Sequence, residues 1–186
     1  MLNGVSSLEC ENNYTGIAHQ SLQSPRGYEY SCHIQAGTNS QSKPGLLTCV
    51  QDPDNPIDDC YWASADPINN ELSMFRREGG DSVELDRVDV EIKEGKEYQL
   101  AIQLLEDSIR AVLSDKNGVF IAATKIVDDT TYRSGTFGFY TGGSGAPAYY
   151  DSVGRYPFVD RSLAEVTTSS SVAQDALNTT AAHALL

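Results

Sequence analysis

The sequence predicts an all-β domain, an antiparallel sandwich or barrel, on three observations. Apolar and polar residues alternate with a period of two: Tyr28, Tyr30, Cys32, Ile34 and Ala36 interleave with Glu29, Ser31, His33 and Gln35. Tyr98, Leu100, Ile102 and Leu104 interleave likewise with Gln99, Ala101 and Gln103. Successive side chains of a strand point to opposite sides of its sheet, so this period marks strands with one buried face. Turn chemistry recurs between such runs, in Arg-Glu-Gly-Gly-Asp (77–81), Lys-Glu-Gly-Lys (93–96), Asp-Lys-Asn-Gly (115–118) and Gly-Gly-Ser-Gly (142–145). No amphipathic helical period separates the runs, which excludes a parallel sheet with crossover helices.

Taken in chain order, 1–27 is expected as an N-terminal arm or first strand, and 28–160 as the sandwich. Besides the two alternating runs, strands are predicted over 46–50, 61–65, 71–77, 83–92, 109–114, 119–125, 135–141 and 148–153. The core is expected from Ile34, Leu100, Ile102, Leu104, Leu113, Ile121, Phe137 and Phe139. After Asp160 the composition shifts to Ser, Thr and Ala. Within this tail (161–186), Ser171-Val-Ala-Gln174 has capping-box spacing and predicts a short helix over 172–177. Its apolar stripe of Val172, Ala173, Ala176 and Leu177 is too thin to offset roughly 1–2 kcal/mol of backbone entropy per residue. The tail is therefore expected to order against a second copy of the chain or a neighbouring assembly protein, docking on its own sandwich being the alternative.

The chain carries 26 acidic and 13 basic residues, a net charge of −13 over 186 residues. A surface this acidic lacks the basic footprint that nucleic acid or an anionic membrane requires, and both are excluded as partners. It suits a soluble extracellular domain or a high-salt environment. No apolar run approaches a membrane span, and Met1-Leu-Asn-Gly-Val-Ser-Ser has neither the basic nor the hydrophobic region of an export signal.

All four cysteines, Cys10, Cys32, Cys49 and Cys60, fall in the first third, without metal-binding spacing. Cys49 and Cys60 bracket the loop 51–59 as hairpin partners would, which predicts a Cys49–Cys60 disulfide and leaves Cys10 with Cys32. Such bridges imply an oxidising compartment; free buried thiols are the alternative.

From 28 to 158 the sequence resembles the concanavalin A-like lectin/glucanase superfamily in its laminin-G-like form. Pro-Gly-Leu-Leu-Thr-Cys-Val-Gln-Asp-Pro-Asp-Asn (44–55) with Cys-Tyr-Trp-Ala-Ser (60–64) resembles the family's Gly-apolar strand, acidic loop and aromatic strand. Gly-Lys-Glu-Tyr-Gln-Leu-Ala-Ile-Gln-Leu (95–104) and Ile-Arg-Ala-Val-Leu-Ser-Asp-Lys-Asn-Gly (109–118) resemble its central strand and the following hairpin. Ser-Gly-Thr-Phe-Gly-Phe-Tyr (134–140) and Ala-Tyr-Tyr-Asp-Ser-Val (148–153) resemble the closing pair. The resemblance implies a two-sheet antiparallel jelly roll.

It also directs attention to three sets of residues. Glycosidases of the superfamily carry Glu-x-Asp-x-x-Glu, and Glu84-Leu-Asp86-Arg-Val-Asp89 departs from it by an Asp in the acid position. A bulge near Arg87 would gather Glu84, Asp86, Asp89 and Glu91 on one face; with the shortened acid and a single Trp in the chain, no catalytic residue is assigned. The resemblance implies a structural calcium held by Asp151 with Glu9 or Glu11. Asp52, Asp54, Asp58 and Asp59 form a separate acidic cluster that suits either the same hard cation or a solvated turn. Tyr61, Trp62, Tyr140, Tyr149 and Tyr150 are the candidates for stacking on sugar rings, although alternation turns about half of them into the core.

The expected function is a noncatalytic carbohydrate-binding or adhesion module, extracellular or on a virion surface, whose partner is a glycan or a cell-surface glycoconjugate. The alternative is a structural protein of a virion or cell-surface layer, with a glycoside hydrolase third.

Overall fold

In the computed structural model the described residues are 8–10, 15–23, 26–38, 41–143 and 147–157, the first two stretches as backbone. Period-two alternation becomes thirteen strands among them, and no helix. They are β1 (Leu8–Cys10), β2 (Thr15–Gln23), β3 (Tyr28–Ala36), β4 (Lys43–Val50), β5 (Cys60–Asp66), β6 (Glu71–Glu78) and β7 (Asp81–Asp89). Then follow β8 (Glu97–Leu104), β9 (Ser108–Asp115), β10 (Phe120–Ala123), β11 (Val127–Asp128), β12 (Thr136–Gly142) and β13 (Ala148–Pro157). One antiparallel sheet runs β1-β13-β3-β8-β9-β10, with β11 also on β9; the other runs β2-β12-β4-β5-β6-β7. The segment expected as an arm or first strand thus supplies an edge strand to each sheet. The expected tail helix lies outside the described residues.

The two sheets bury one continuous core between their inner faces. The first sheet contributes Tyr30, Cys32, Ile34, Tyr98, Leu100, Ile102, Leu113 and Tyr150; the second contributes Leu46, Ala63, Leu72, Met74, Phe137 and Phe139. Tyr30 stacks on Phe137 across the gap at 5.8 Å between centroids, and Phe139 meets Tyr150 at 4.9 Å. Of the core expected from sequence, only Ile121 is incompletely covered, because the β9–β10 pairing slips between Phe120 and Ala122 at the sheet edge. Tyr150 also ties the sheets together: its hydroxyl accepts from Gly45 N–H (3.2 Å) and donates to the Tyr140 carbonyl (3.0 Å).

Neither expected disulfide forms: none of Cys32, Cys49 and Cys60 is disulfide-bonded. Cys49 has a left-handed backbone (φ 53°) at a bulge, where β12 pairs Thr136 with Val50 but Gly138 with Leu47. The extra residue turns Cys49 into the inter-sheet core, while Cys60 joins Leu47 and Val50 on the outer face. Hairpin partners normally share a face, and the bulge removes that condition. For the second pair, Cys10 lies opposite Ala148, which in turn lies opposite Ala36. With β13 between their strands and a four-residue offset along β3, Cys10 and Cys32 are roughly three times farther apart than the 4.4–6.8 Å Cα spacing of a bridge. The inference of an oxidising compartment loses its support.

Two polar devices close the sandwich at its margins. Asp86 accepts the Lys125 N–H at 2.7 Å and faces its ammonium at 3.7 Å, joining edge strand β7 to the segment between β10 and β11 of the other sheet. Arg26 donates to the carbonyls of Asp129 (2.6 Å), Tyr132 (2.9 Å) and Leu105 (3.2 Å), so one guanidinium gathers two loops.

Candidate functional site

The outer face of the second sheet is where the aromatic side chains not used by the core collect. Register places its residues in rows across the strands, because directly opposed residues of an antiparallel pair project to the same side. One row is Gly138, Leu47, Trp62, Phe75 and Glu84; the next is Tyr140, Gly45, Ser64, Ser73 and Arg87. A third row ends in Asp66, Glu71 and Asp89.

The first row gives an apolar wall. Trp62 stacks on Phe75 (4.9 Å between centroids, 24° between planes) and meets Tyr140 edge-on at 5.1 Å. Leu47, Val50 and Cys60 lie beneath, with Ile57 of the following loop over them. The second row is a floor of small residues, since Gly45 has no side chain and Ser64 and Ser73 have one-carbon hydroxyls. Trp62 leans across this floor toward Gly45 and Gly142. The third row is a charged rim: Lys43 pairs with Asp66 at 2.6 Å, and Arg87 bridges Glu71 (3.7 Å) and Glu84 (3.6 Å). Burial opposes the charge on Asp66, yet Lys43 and the Asn69 and Ile68 N–H groups outweigh it and hold its carboxyl below the usual carboxylate range.

Three polar atoms in the floor and wall are buried without a hydrogen-bond partner: Ser64 Oγ, Ser73 Oγ and Trp62 Nε1. The serines are only 3% and 1% exposed. Buried polar groups are ordinarily paired, so these three atoms are exceptions to that rule, covered where Trp62 lies over Gly45 rather than presented at the surface.

Of the five aromatic candidates, the structure brings Trp62 and Tyr140 together here. Tyr61 and Tyr150 turn inward and are fully covered, out of reach of a ligand. The Tyr61 hydroxyl donates to Asp129 (2.6 Å) in a buried network with Arg76. Tyr149 projects from the other sheet, opposite Gln35 and Glu9. Sequence reasoning missed Phe75, Gly45, Ser64, Ser73 and Arg87. The available signal was Phe75 itself, an aromatic sharing the parity of Ser73 and Arg77.

The acidic sets are dispersed. Glu84 pairs with Phe75, Asp86 with Met74 and Asp89 with Glu71, because the irregularity of β7 falls at Leu85 rather than near Arg87. Asp86 therefore faces away from Glu84 and Asp89, and the expected common face is not formed. In the 51–59 loop, Asp52 accepts from Asp54 N–H and the Asn55 amide, both at 2.9 Å, and Asp59 accepts from Gly79 N–H (2.9 Å) and the Tyr132 hydroxyl (3.0 Å). The Asp58 carbonyl accepts from Gly80 N–H at 3.0 Å. Asp151 lies opposite His33 and accepts from Ser152 N–H at 2.6 Å. The Glu9 side chain and Glu11 lie outside the described residues, among which no three His, Cys, Asp or Glu side chains are grouped to hold a metal ion.

No protein-family model matches the chain, and no curated protein does. Solved structures do. The carbohydrate binding module CBM66 from Bacillus subtilis superposes with a TM-score of 0.63 over 81% of this chain and 92% of its own, at 17% identity. A toad ovary galectin in complex with thio-digalactose gives 0.54 over 79% and 100%, at 12% identity. The fold is the concanavalin A-like jelly roll. The xylan β-1,4-xylosidase from Bacillus halodurans C-125 contains a similar unit, with a TM-score of 0.50 and 17% identity over 74% of this chain but only 28% of the enzyme. At these identities the shared property is the jelly roll itself.

Proposed function

We propose that the chain is a noncatalytic carbohydrate-binding or adhesion module that holds a glycan on the outer face of the second sheet. The carrying observation is the partly exposed Trp62–Phe75–Tyr140 cluster on that face, with the polar side chains of Glu84 and Arg87 beside it. A pyranose or furanose ring has an apolar face of C–H groups and an equatorial belt of hydroxyls, so it needs an aromatic surface and donor–acceptor groups side by side. Glycans in solved relatives of the same fold, as in the galectin–thio-digalactose complex, are consistent with this reading. The turn of Asp86 away from Glu84 and Asp89 supports binding over hydrolysis, and the net charge of −13 supports a role on extracellular or virion-surface glycoconjugates rather than on polyanions.

Titration of the protein against a glycan array, followed by solution titration of each positive, tests the proposal. Trp62→Ala and Phe75→Ala are expected to weaken binding by about tenfold or more each, the order of magnitude of one lost aromatic contact. Retained binding in both variants would move the site elsewhere.

A further inference from the structure

The aromatic outer face also discriminates by charge. We propose that it accepts neutral, hydroxyl-rich sugars and rejects sugars bearing a carboxylate or sulfate; this rests on the glycan-binding reading above. Around the serine floor stand four carboxylates, Asp66, Glu71, Glu84 and Asp89, against two cations, Lys43 and Arg87. Both cations are already engaged, Lys43 with Asp66 and Arg87 between Glu71 and Glu84. Arg77, one row beyond Trp62, is turned to the 79–82 turn, where it donates to the Ser82 hydroxyl (3.0 Å). Among the described residues, an anionic sugar thus meets more negative than positive charge, with both cations already facing carboxylates.

The aromatic cluster points the same way. Trp62, Phe75 and Tyr140 are partly exposed and offer ring surface that suits the C–H face of a neutral sugar. A carboxylate or sulfate brought against them would surrender hydration that an aromatic surface does not return.

The test uses the single Trp of the chain, whose emission reports events at the site directly. Neutral oligosaccharides that bind on the array are titrated beside forms of the same core carrying a uronic acid, and beside the methyl ester of that uronic acid. The acidic form is expected to bind roughly tenfold or more weakly, and the ester to recover affinity, since charge rather than bulk is removed. Equal or tighter binding of the acid, or an ester as weak as the acid, overturns the charge inference while leaving glycan binding intact. Absence of binding by every glycan overturns the underlying reading and this one with it. A second arm compares Glu71→Gln with Asp89→Asn, the latter on an exposed side chain at the edge strand. Each should raise the acid-to-neutral affinity ratio several-fold; a ratio unchanged in both excludes the rim as its source.

Discussion

The Trp62 indole rests on Gly45: a β-carbon there would stand 2.3 Å from Nε1 and 2.6 Å from the Ala63 carbonyl oxygen. The aromatic wall can lie over the sheet only because β4 presents no side chain at this point of the row. Gly45→Ala should therefore displace the indole and strain β5, costing about 1–3 kcal/mol, the usual range for overpacking a filled site. Urea unfolding gives the stability and the emission maximum of the lone Trp gives its environment. An unchanged midpoint with unchanged emission would contradict this packing.

Asp86 separates a structural role from a catalytic one. It binds Lys125 across the sandwich margin and lies on the opposite face of β7 from Glu84. Asp86→Ala should lower stability by about 0.5–1.5 kcal/mol through the lost hydrogen bond to Lys125 N–H, and should leave glycan affinity within error of wild type. Thermal melts and titration of the same preparation measure both. A selective loss of binding with no change in melting would reverse the assignment.

The sequence made the strands legible because every second residue of β3 and β8 is apolar, the pattern of a strand with one buried face. The resemblance in the 44–64 and 134–153 segments extended this to a jelly roll. What could not be read were the places where parity breaks. A bulge at Cys49 or Leu85 exchanges inner and outer residues without altering composition, so the expected disulfide and the expected acidic face both failed at such points. The site was half legible for a related reason. Aromatic residues stand out in a sequence, but the glycine and serines of its floor gain meaning only from cross-strand register.

The cysteines should behave as buried thiols. Burial pushes Cys49 and Cys60 up to about 12, and Cys32 well above its ordinary value. In the folded protein these three should resist alkylation near neutral pH and react only on unfolding. The melting temperature should not respond to reductant. Non-reducing peptide mapping that recovers a Cys49–Cys60 crosslink from native protein would overturn the inward turn of Cys49.

The Tyr61–Asp129 hydrogen bond should limit stability at both ends of the pH scale. Burial opposes charge on Asp129, but the Tyr61 hydroxyl, Thr131 N–H and Arg76 outweigh it and hold its carboxyl below the usual range. A folded value below the unfolded one gives stability that is present above about pH 4 and is lost as acid carries the solution through the folded value. For Tyr61 the sign is opposite: burial first, then its bond to the Asp129 carboxylate, raises the phenol from 10.0 to about 12. That contribution is complete below the unfolded phenol value of about 10 and disappears as pH rises toward the folded one. Tyr61→Phe removes the donor, leaves Asp129 one bond short, and should cost about 1–3 kcal/mol at neutral pH. It should also flatten the alkaline limb of the melting curve, while Asp129→Asn should make the acid limb shallower. Melting temperatures of the three proteins across roughly pH 2 to 12 decide the point, and an alkaline limb unchanged in Tyr61→Phe would show that another group carries it.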